Sequence, residues 1–411
     1  MNISLQRSQV LQKPLSVTIT GSKSESNRLL VLQALFPNIT LENLSNSDDT
    51  EVMQMALKST DAVIDIHHAG TTMRFLTAYF SSSEGKSVTL TGSKRMKERP
   101  IKILVDALRD LGADISYVEN DGYPPIQISG KKLTQNQVTL KANVSSQYIS
   151  ALMLIGSSLE NGLVLTLDGE ITSVPYIKMT LNLLHQLGIE AEFQGQTISV
   201  QPKKDLVAGT DFTVESDWSS ASYFFSIVAL SAVGKTITLS AYKETSLQGD
   251  SVLASIYEQF GVQTTFETNT ITLKKVKAVS KETVITLDLV NAPDIAQTIA
   301  VTCFGLGIAC DLSGLHTLKI KETDRLEALK TELEKLGGTV FITDKSLKLE
   351  PSDNIVENVA IDTYNDHRMA MAFAPLALKT TMRVNDAEVV SKSYPEFWSD
   401  LKNIGFIINE D

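Results

Sequence analysis

Lys23, Ser24 and Arg28 crowd the start of the stretch GSKSESNRLLVLQALF, which begins at Gly21 and then turns apolar at helical spacing. Cations and hydroxyls at the head of an apolar helix suit an anion, because the first turn offers unpaired N–H groups and the positive end of the helix dipole. The arrangement recurs. Arg74 lies three residues after Thr71 in GTTMRFLTAYF, Ser145, Ser146 and Gln147 open SSQYISALMLIG, and Asp366, His367 and Arg368 open DHRMAMAFAPLAL. A lone Ser, Thr or Asp in such a place is an ordinary N-cap. A Lys or Arg beside the cap is different, since it opposes the dipole unless an anion lies between. Two further clusters are SKRMKERPI, with Lys94, Arg95, Lys97 and Arg99 around Glu98, and KIKETDRLEAL, with Lys319, Lys321, Glu322, Asp324 and Arg325. Lys321 and Arg325 stand at i and i+4, on one helix face. Taken singly, these clusters read as solvated charged faces, and Asp294 after Pro293 reads as a first-turn acid that favours the dipole.

Other chemistries find no pattern. GSKS has Ser22 where a P-loop needs glycine before the lysine. No GxGxxG follows a strand, no HExxH occurs among the five histidines, and no GxSxG elbow is present. Metal catalysis therefore has little support, and no metal site is expected.

The elements that must position these residues show a repeat. VDALRDLGADI, LNLLHQLGIEA, LASIYEQFGVQ, ELEKLGGTVFI and FWSDLKNIGFII each close a helix on a glycine: Gly112, Gly188, Gly261, Gly337 and Gly405, spaced 76, 73, 76 and 68 residues apart. Glycine suits the left-handed position after a helix. A second series of helix starts, marked by Thr71, Ser146, Ser220, Asp294 and His367, runs out of phase at intervals of 75, 74, 74 and 73. SKSESNRLLVLQALF is its natural first member, with DDTEVMQMALKS as the shortened partner. The chain thus reads as six copies of a unit of about 70 residues, three to a domain. The boundary falls near DLVAGTDFTVESD. Alternating helix and strand predicts an α/β or α+β class.

Composition sets the limits. The 411 residues carry a net charge of −11, with 43% hydrophobic and 21% charged residues. A large core is available without staples. The acidic balance disfavours nucleic acid, so an anionic ligand must be drawn by local Lys and Arg against the overall field. Cys303 and Cys310 share one apolar run and read as buried thiols. With no signal-type h-region and no membrane-length apolar run, a cytoplasmic protein is expected.

The segments GSKSESNR, AGTTMRF, RMKERPI, SSQYISALM, SVPYIKMTLNLL, ESDWSSASYF, PDIAQTIAV, KETDRLEAL, YNDHRMAMAFA and SKSYPEFW stand in an order that resembles the 5-enolpyruvylshikimate-3-phosphate synthases, from about Gly21 to Trp398. The resemblance implies an inside-out α/β fold of two similar domains, each of three βαβαββ units. One spans residues 20–215, the other 1–19 with 216–411, and the active site lies in the cleft between them. It implies transfer of the enolpyruvyl group of phosphoenolpyruvate to the 5-hydroxyl of shikimate 3-phosphate, with no cofactor, by a chain acting as a monomer without nucleic acid or membrane. Lys23, Ser24, Arg28, Ser145, Ser146, Gln147, Ser173, Asp294, Thr317 and Lys321 are then expected at shikimate 3-phosphate. Lys23, Gly70, Arg95, Gln147, Arg325, Arg368 and Lys392 are expected at phosphoenolpyruvate. Asp294 matches a proton acceptor and Glu322 a proton donor, with Lys23 beside them.

His68, Phe75, Val174 and Thr317 depart from the family's usual residues. The nearest alternative is the sister transferase acting on UDP-N-acetylglucosamine, whose loop carries a cysteine that SKRMKERPI lacks. A non-catalytic phospho-ligand binding protein is a second alternative, against which the intact Lys23, Asp294 and Glu322 stand.

Overall fold

The computed structural model describes residues 1–142, 145–169, 171, 174–203 and 210–411. Its contacts divide the chain into two units, Gly21–Val214 and Met1–Thr20 with Glu215–Asp411.

In Gly21–Val214, one sheet places Val63–Asp65, Ser87–Thr91, Ile126–Ser129 and Asp114–Tyr117 side by side in that order. The first pair is parallel and is joined through the helix Gly70–Ser82; the other two pairings are antiparallel. Gln137–Lys141, Leu163–Asp168, Thr197–Val200 and Ala191–Gln194 repeat this wiring, with Ser146–Gly156 as the crossover helix. A parallel pair needs such a crossover, whereas the antiparallel pair closes on a hairpin. Strand Gln137–Lys141 alternates exposed Gln, Thr and Lys with buried Val138 and Leu140, the mark of a sheet with one face covered. Ile39–Glu42 pairs in parallel with Thr210–Thr213, a strand supplied from the far end of the unit.

The helices Lys23–Leu35, Gly70–Ser82 and Ser146–Gly156 pack on one another. They are buried nearly all round, as an inner layer must be. Ser146–Gly156 buries every residue except Gln147, near its start. The outer helix Lys102–Asp110 instead buries one stripe, Leu104, Val105, Ala107 and Leu108.

The second unit repeats the plan three times. Its sheets are Ser16–Val17, Thr236–Ser240, Thr270–Lys275 and Val262–Glu267; Val284–Asp288, Ala309–Ser313, Leu347–Leu349 and Val340–Ile342; and Val359–Ile361, Met382–Val384, Ile3–Leu5 and Ile408–Glu410. Each has one parallel pair followed by two antiparallel pairings. The N-terminal segment supplies two of these strands, Ser16–Val17 as a leading strand and Ile3–Leu5 in a hairpin position. The inner helices are Trp218–Leu230, Ala296–Leu306 and His367–Phe373. Trp218 packs against Tyr242 at 5.0 Å and Phe225 at 6.3 Å between ring centroids. Trp218–Leu230 buries every residue but Ser219. In both units the inner helices thus reach solvent near their starts, where the sequence has its charges. The repeated βαβαββ architecture agrees with the periodicity, and all five helix-closing glycines have φ between 69° and 116°.

Candidate active site

Arg325 opens the helix Arg325–Lys335, which Asp324 caps by accepting from Glu327 N. Its side chain is 2% exposed, and the guanidinium donates on every edge: Nε to Asp366 Oδ2 at 2.6 Å, Nη1 to Asp294 Oδ1 at 2.7 Å and Nη2 to Glu322 Oε2 at 2.7 Å. The expected proton acceptor and proton donor therefore sit on the two terminal nitrogens of one planar cation. Such charge-assisted bonds fix orientation as well as position.

One arginine does not balance three carboxylates. Lys321 Nζ stands 3.3 Å from Asp294 Oδ1, and Arg368 Nη2 stands 3.5 Å from Asp294 Oδ2. Arg368 also joins the three inner helix starts. Nη2 donates to Ser219 Oγ at 3.2 Å, Nη1 to Asp294 O at 3.4 Å, and its backbone N to the cap Asp366 Oδ1 at 2.9 Å. Burial alone would raise the Asp294 carboxyl, but Lys321, Arg368 and Arg325 outweigh it and hold the group well below the usual carboxylate range. Burial lowers Arg325 less than Asp366, Glu322 and Asp294 raise it, so it stays charged. Asp250 accepts from Ser219 Oγ. Burial and the negative Asp294 push Asp250 up to about 6. Lys392 Nζ donates to Asn365 O at 2.6 Å, and Thr317 Oγ1 is buried with no hydrogen-bond partner among the described residues.

In Gly21–Val214, Lys23 Nζ lies 3.6 Å from Asp49 Oδ2 at the start of the first inner helix. Arg28 is buried one turn further on. Nε donates to Thr180 Oγ1 at 2.8 Å, Nη2 to Ser150 Oγ at 3.0 Å and Nη1 to Ser24 O at 2.8 Å. Three of its five N–H groups are thereby used. The departure Phe75 has a structural partner here: its ring lies 5.4 Å from Arg28 Cζ, with Tyr176 at 5.8 Å from the same atom. Burial lowers Arg28 to about 10, which still leaves it cationic at neutral pH. Ser145 caps its helix by accepting from Gln147 N, and Gln147 Nε2 donates to Thr71 Oγ1 at 3.0 Å, which links two helix starts. Ser146 is 8% exposed.

Arg95, also expected at phosphoenolpyruvate, lies at the surface. Its side chain is 79% exposed, and Nη1 donates to Glu98 Oε2 at 3.1 Å, an i,i+3 pair on one short helical turn. The guanidinium that lies on Gly70 belongs to Arg99, whose Nη1 is 2.6 Å from where a Cβ on Gly70 would stand. Ser173 lies outside the described residues. Among the described residues, no group of three or more His, Cys, Asp or Glu side chains is placed to hold a metal.

Sequence reasoning assigned no role to Asp366, Asp250 or Ser219. Asp366 was visible as a cap before His367 and Arg368, but that pattern carries no hint of the distant Arg325. For Asp250 and Ser219 the sequence offered only a lone acid and a common helix-start serine.

The arrangement can hold anions at Lys321, Arg325 and Arg368, and it presents two carboxylates for proton transfer. The family model described as EPSP synthase (3-phosphoshikimate 1-carboxyvinyltransferase) matches residues 54–401. A protein of Bacteroides fragilis (strain YCH46) named 3-phosphoshikimate 1-carboxyvinyltransferase is 48% identical over 396 residues, 95% of each chain. One of that name from Colwellia psychrerythraea (strain 34H / ATCC BAA-681) is 35% identical over 418 residues, 94% of this chain and 96% of its own. Among solved structures, EPSP synthase from Acinetobacter baumannii matches with a TM-score of 0.82, covering 100% of both chains at 22% identity. The enolpyruvyl transferase NikO from Streptomyces tendae matches with a TM-score of 0.72 at 15% identity, over 99% of this chain and 98% of its own. Those two likenesses establish the fold, and the sequence matches establish more: the chain belongs to the EPSP synthase (3-phosphoshikimate 1-carboxyvinyltransferase) family.

Proposed function

We infer that this chain transfers the enolpyruvyl group of phosphoenolpyruvate to the 5-hydroxyl of shikimate 3-phosphate and releases phosphate, a step of the shikimate pathway toward chorismate and the aromatic amino acids. Within a chain of this family, the observation that carries the reading is the placement of Asp294 and Glu322 on the two ends of the Arg325 guanidinium. In the addition, the 5-hydroxyl oxygen bonds to C2 of phosphoenolpyruvate, its proton passes to Asp294, and Glu322 gives a proton to C3. In the elimination, the C2–O bond to phosphate breaks and C3 loses a proton, which leaves the enol ether. General acid and base groups of this kind contribute about 10²–10⁴-fold each.

Asp294 poses a condition. A carboxylate held low by three cations is a poor base. An anionic substrate that engages Lys321, Arg325 or Arg368 takes positive charge away from it and raises its proton affinity. Substrate binding thus prepares the base it needs. Lys23, Ser24, Arg28, Ser145, Ser146, Gln147, Ser173, Asp294, Thr317 and Lys321 are assigned to shikimate 3-phosphate, with Lys23, Gly70, Arg95, Gln147, Arg325, Arg368 and Lys392 at phosphoenolpyruvate. This reading takes the enzyme as a cytoplasmic monomer. Among the described residues, no helix is long and apolar enough to cross a membrane.

The test measures phosphate release from phosphoenolpyruvate with shikimate 3-phosphate and, in parallel, with UDP-N-acetylglucosamine. Release with the first acceptor alone is expected. Release with the second alone, or with neither, refutes the assignment.

A further inference from the structure

The helix that begins with Arg325 carries a second buried charge two turns further along. Glu332 is 0% exposed, and that spacing puts it on the same face as Arg325. Both of its carboxylate oxygens are taken. Oε1 accepts from Tyr364 OH at 2.6 Å and from Lys335 Nζ at 2.8 Å, and Oε2 accepts from Asp362 N at 3.2 Å. The Asp362 side chain is gripped as well, by Lys335 Nζ at 2.7 Å and by Asn385 Nδ2 at 2.7 Å. Burial and the Glu332 carboxylate push the Tyr364 hydroxyl above its ordinary value, so it keeps its proton and donates.

This clamp holds a backbone turn that does not form readily by itself. Tyr364 and Asn365 have φ of 53° and 55°. Asparagine tolerates the left-handed region better than tyrosine does, and such a conformation persists only where its surroundings over-determine it. The turn leads directly into Asp366, which accepts from Arg325 Nε at 2.6 Å. On the turn itself, Asn365 O accepts from Lys392 Nζ at 2.6 Å. The segment 362–366 is thus docked on one helix at two points, Arg325 at its start and Glu332 further along, with the left-handed turn bridging them.

We propose that Tyr364 and Glu332 are positioning residues for the reaction, their hydroxyl–carboxylate bond holding the left-handed turn that seats Lys392 and delivers Asp366 to Arg325. Each acts through the turn rather than on a substrate. This rests on the reading that Arg325 and Lys392 serve phosphoenolpyruvate. Without the Tyr364 hydroxyl the turn is free to leave the left-handed region. Asn365 O then moves off Lys392, and Arg325 loses the fixed carboxylate that aligns it with Asp294 and Glu322. Small misplacements of this kind are costly where reacting groups must be held in register.

The experiment compares Tyr364→Phe, Glu332→Gln, Lys392→Arg, the double variant Tyr364→Phe with Lys392→Arg, and Tyr257→Phe in the phosphate-release assay. Wild-type activity with phosphoenolpyruvate and shikimate 3-phosphate checks the underlying reading separately. Tyr364 is 37% exposed, so Tyr364→Phe removes a hydroxyl without opening a core cavity and is expected to fold. It should raise KM for phosphoenolpyruvate about fivefold, the factor for one ordinary hydrogen bond. It should also lower kcat and leave KM for shikimate 3-phosphate unchanged. Glu332→Gln, whose amide oxygen still accepts, moves the same two constants less. Lys392→Arg raises KM for phosphoenolpyruvate, and adding Tyr364→Phe raises it little further, because both changes act on one contact. Tyr257→Phe is the control for a merely structural hydroxyl. It loses a 3.0 Å bond with Thr302 Oγ1 in the core of the same unit, and should lower the melting temperature with both constants intact. An active wild type whose KM for phosphoenolpyruvate is unchanged in Tyr364→Phe overturns the proposal. So does full additivity with Lys392→Arg, or an equal rise of that KM in Tyr257→Phe.

Discussion

Arg325 Nε and Asp366 Oδ2 meet at 2.6 Å with the arginine side chain 2% and the aspartate 0% exposed, so the ion pair lies in the protein interior. Asp366 has a second task there, capping the helix His367–Phe373 through Arg368 N. One carboxylate thus fixes the arginine that carries Asp294 and Glu322 and also the start of the helix that carries Arg368. Removing one partner of a buried pair leaves the other charge unmatched, at a cost of about 3–5 kcal/mol. Arg325→Gln is expected to lose about that much stability in a denaturant titration, and Asp366→Asn somewhat less, since the amide oxygen still accepts. Near-wild-type midpoints for both would remove the pair from the account of stability.

Asp294→Asn and Glu322→Gln should separate chemistry from binding. Each keeps the shape of the side chain and loses proton transfer. Turnover is expected to fall by ~10²-fold or more. The dissociation constant of shikimate 3-phosphate, from titration calorimetry, should move much less. Each change also takes a competing carboxylate from the cations, Asp294→Asn from Lys321 and Arg368 and Glu322→Gln from Arg325, so anion affinity should rise slightly in both. Turnover near wild type in both would place proton transfer elsewhere.

Much of this was readable before any coordinates, and the divide has a physical basis. Periodicity and caps are local: five glycines after helices took left-handed conformations, and charges at helix starts became the polar ends of buried helices. Partner choice is not local. Nothing near Arg325 in sequence announces Asp366, 41 residues on. Arg95 and Arg99 differ by four positions on one short segment, and the fold alone decides which faces Glu98 and which lies on Gly70. Strand insertion is equally opaque, since Ile3–Leu5 pairs with both Met382–Val384 and Ile408–Glu410 across nearly the whole chain.

Asp250 should leave a mark on the pH dependence of stability. Its folded value of about 6 lies above its ordinary 3.8. Between those values the folded chain keeps a proton that the unfolded chain releases, so stability falls as pH rises through the window. The penalty is complete above pH 6 and absent below about 4. Asp250→Asn carries no such penalty while its amide oxygen can still accept from Ser219. The variant should therefore gain on the wild type as pH rises from 4 to 7, approaching an advantage of ~2–3 kcal/mol. Parallel melting curves across that range would show that Asp250 titrates as an ordinary surface acid.

Gly21 sets where the helix Lys23–Leu35 begins. A Cβ there would lie 1.9 Å from Asn43 O and 2.8 Å from Val214 Cγ1. Asn43 cannot yield easily, because its Nδ2 donates to Val214 O at 2.9 Å while Val214 N donates to Glu42 O at 3.0 Å. The segments at Gly21, Asn43 and Val214 are thus locked by backbone groups rather than by a flexible tip. Overpacking of this kind costs about 1–3 kcal/mol. Gly21→Ala should lose that much in denaturant unfolding. The displacement also reaches Lys23, two residues on, whose ammonium is set 3.6 Å from Asp49. KM should therefore rise in the folded variant as well, a combination that simple destabilisation does not produce. Gly85 is the control for glycine removal, with nothing within 4 Å of its added Cβ and only a φ of 79° to strain. Gly85→Ala should lose stability through that backbone strain alone and leave KM untouched. If Gly21→Ala also leaves KM untouched, the position of the helix start does not govern how Lys23 meets its ligand.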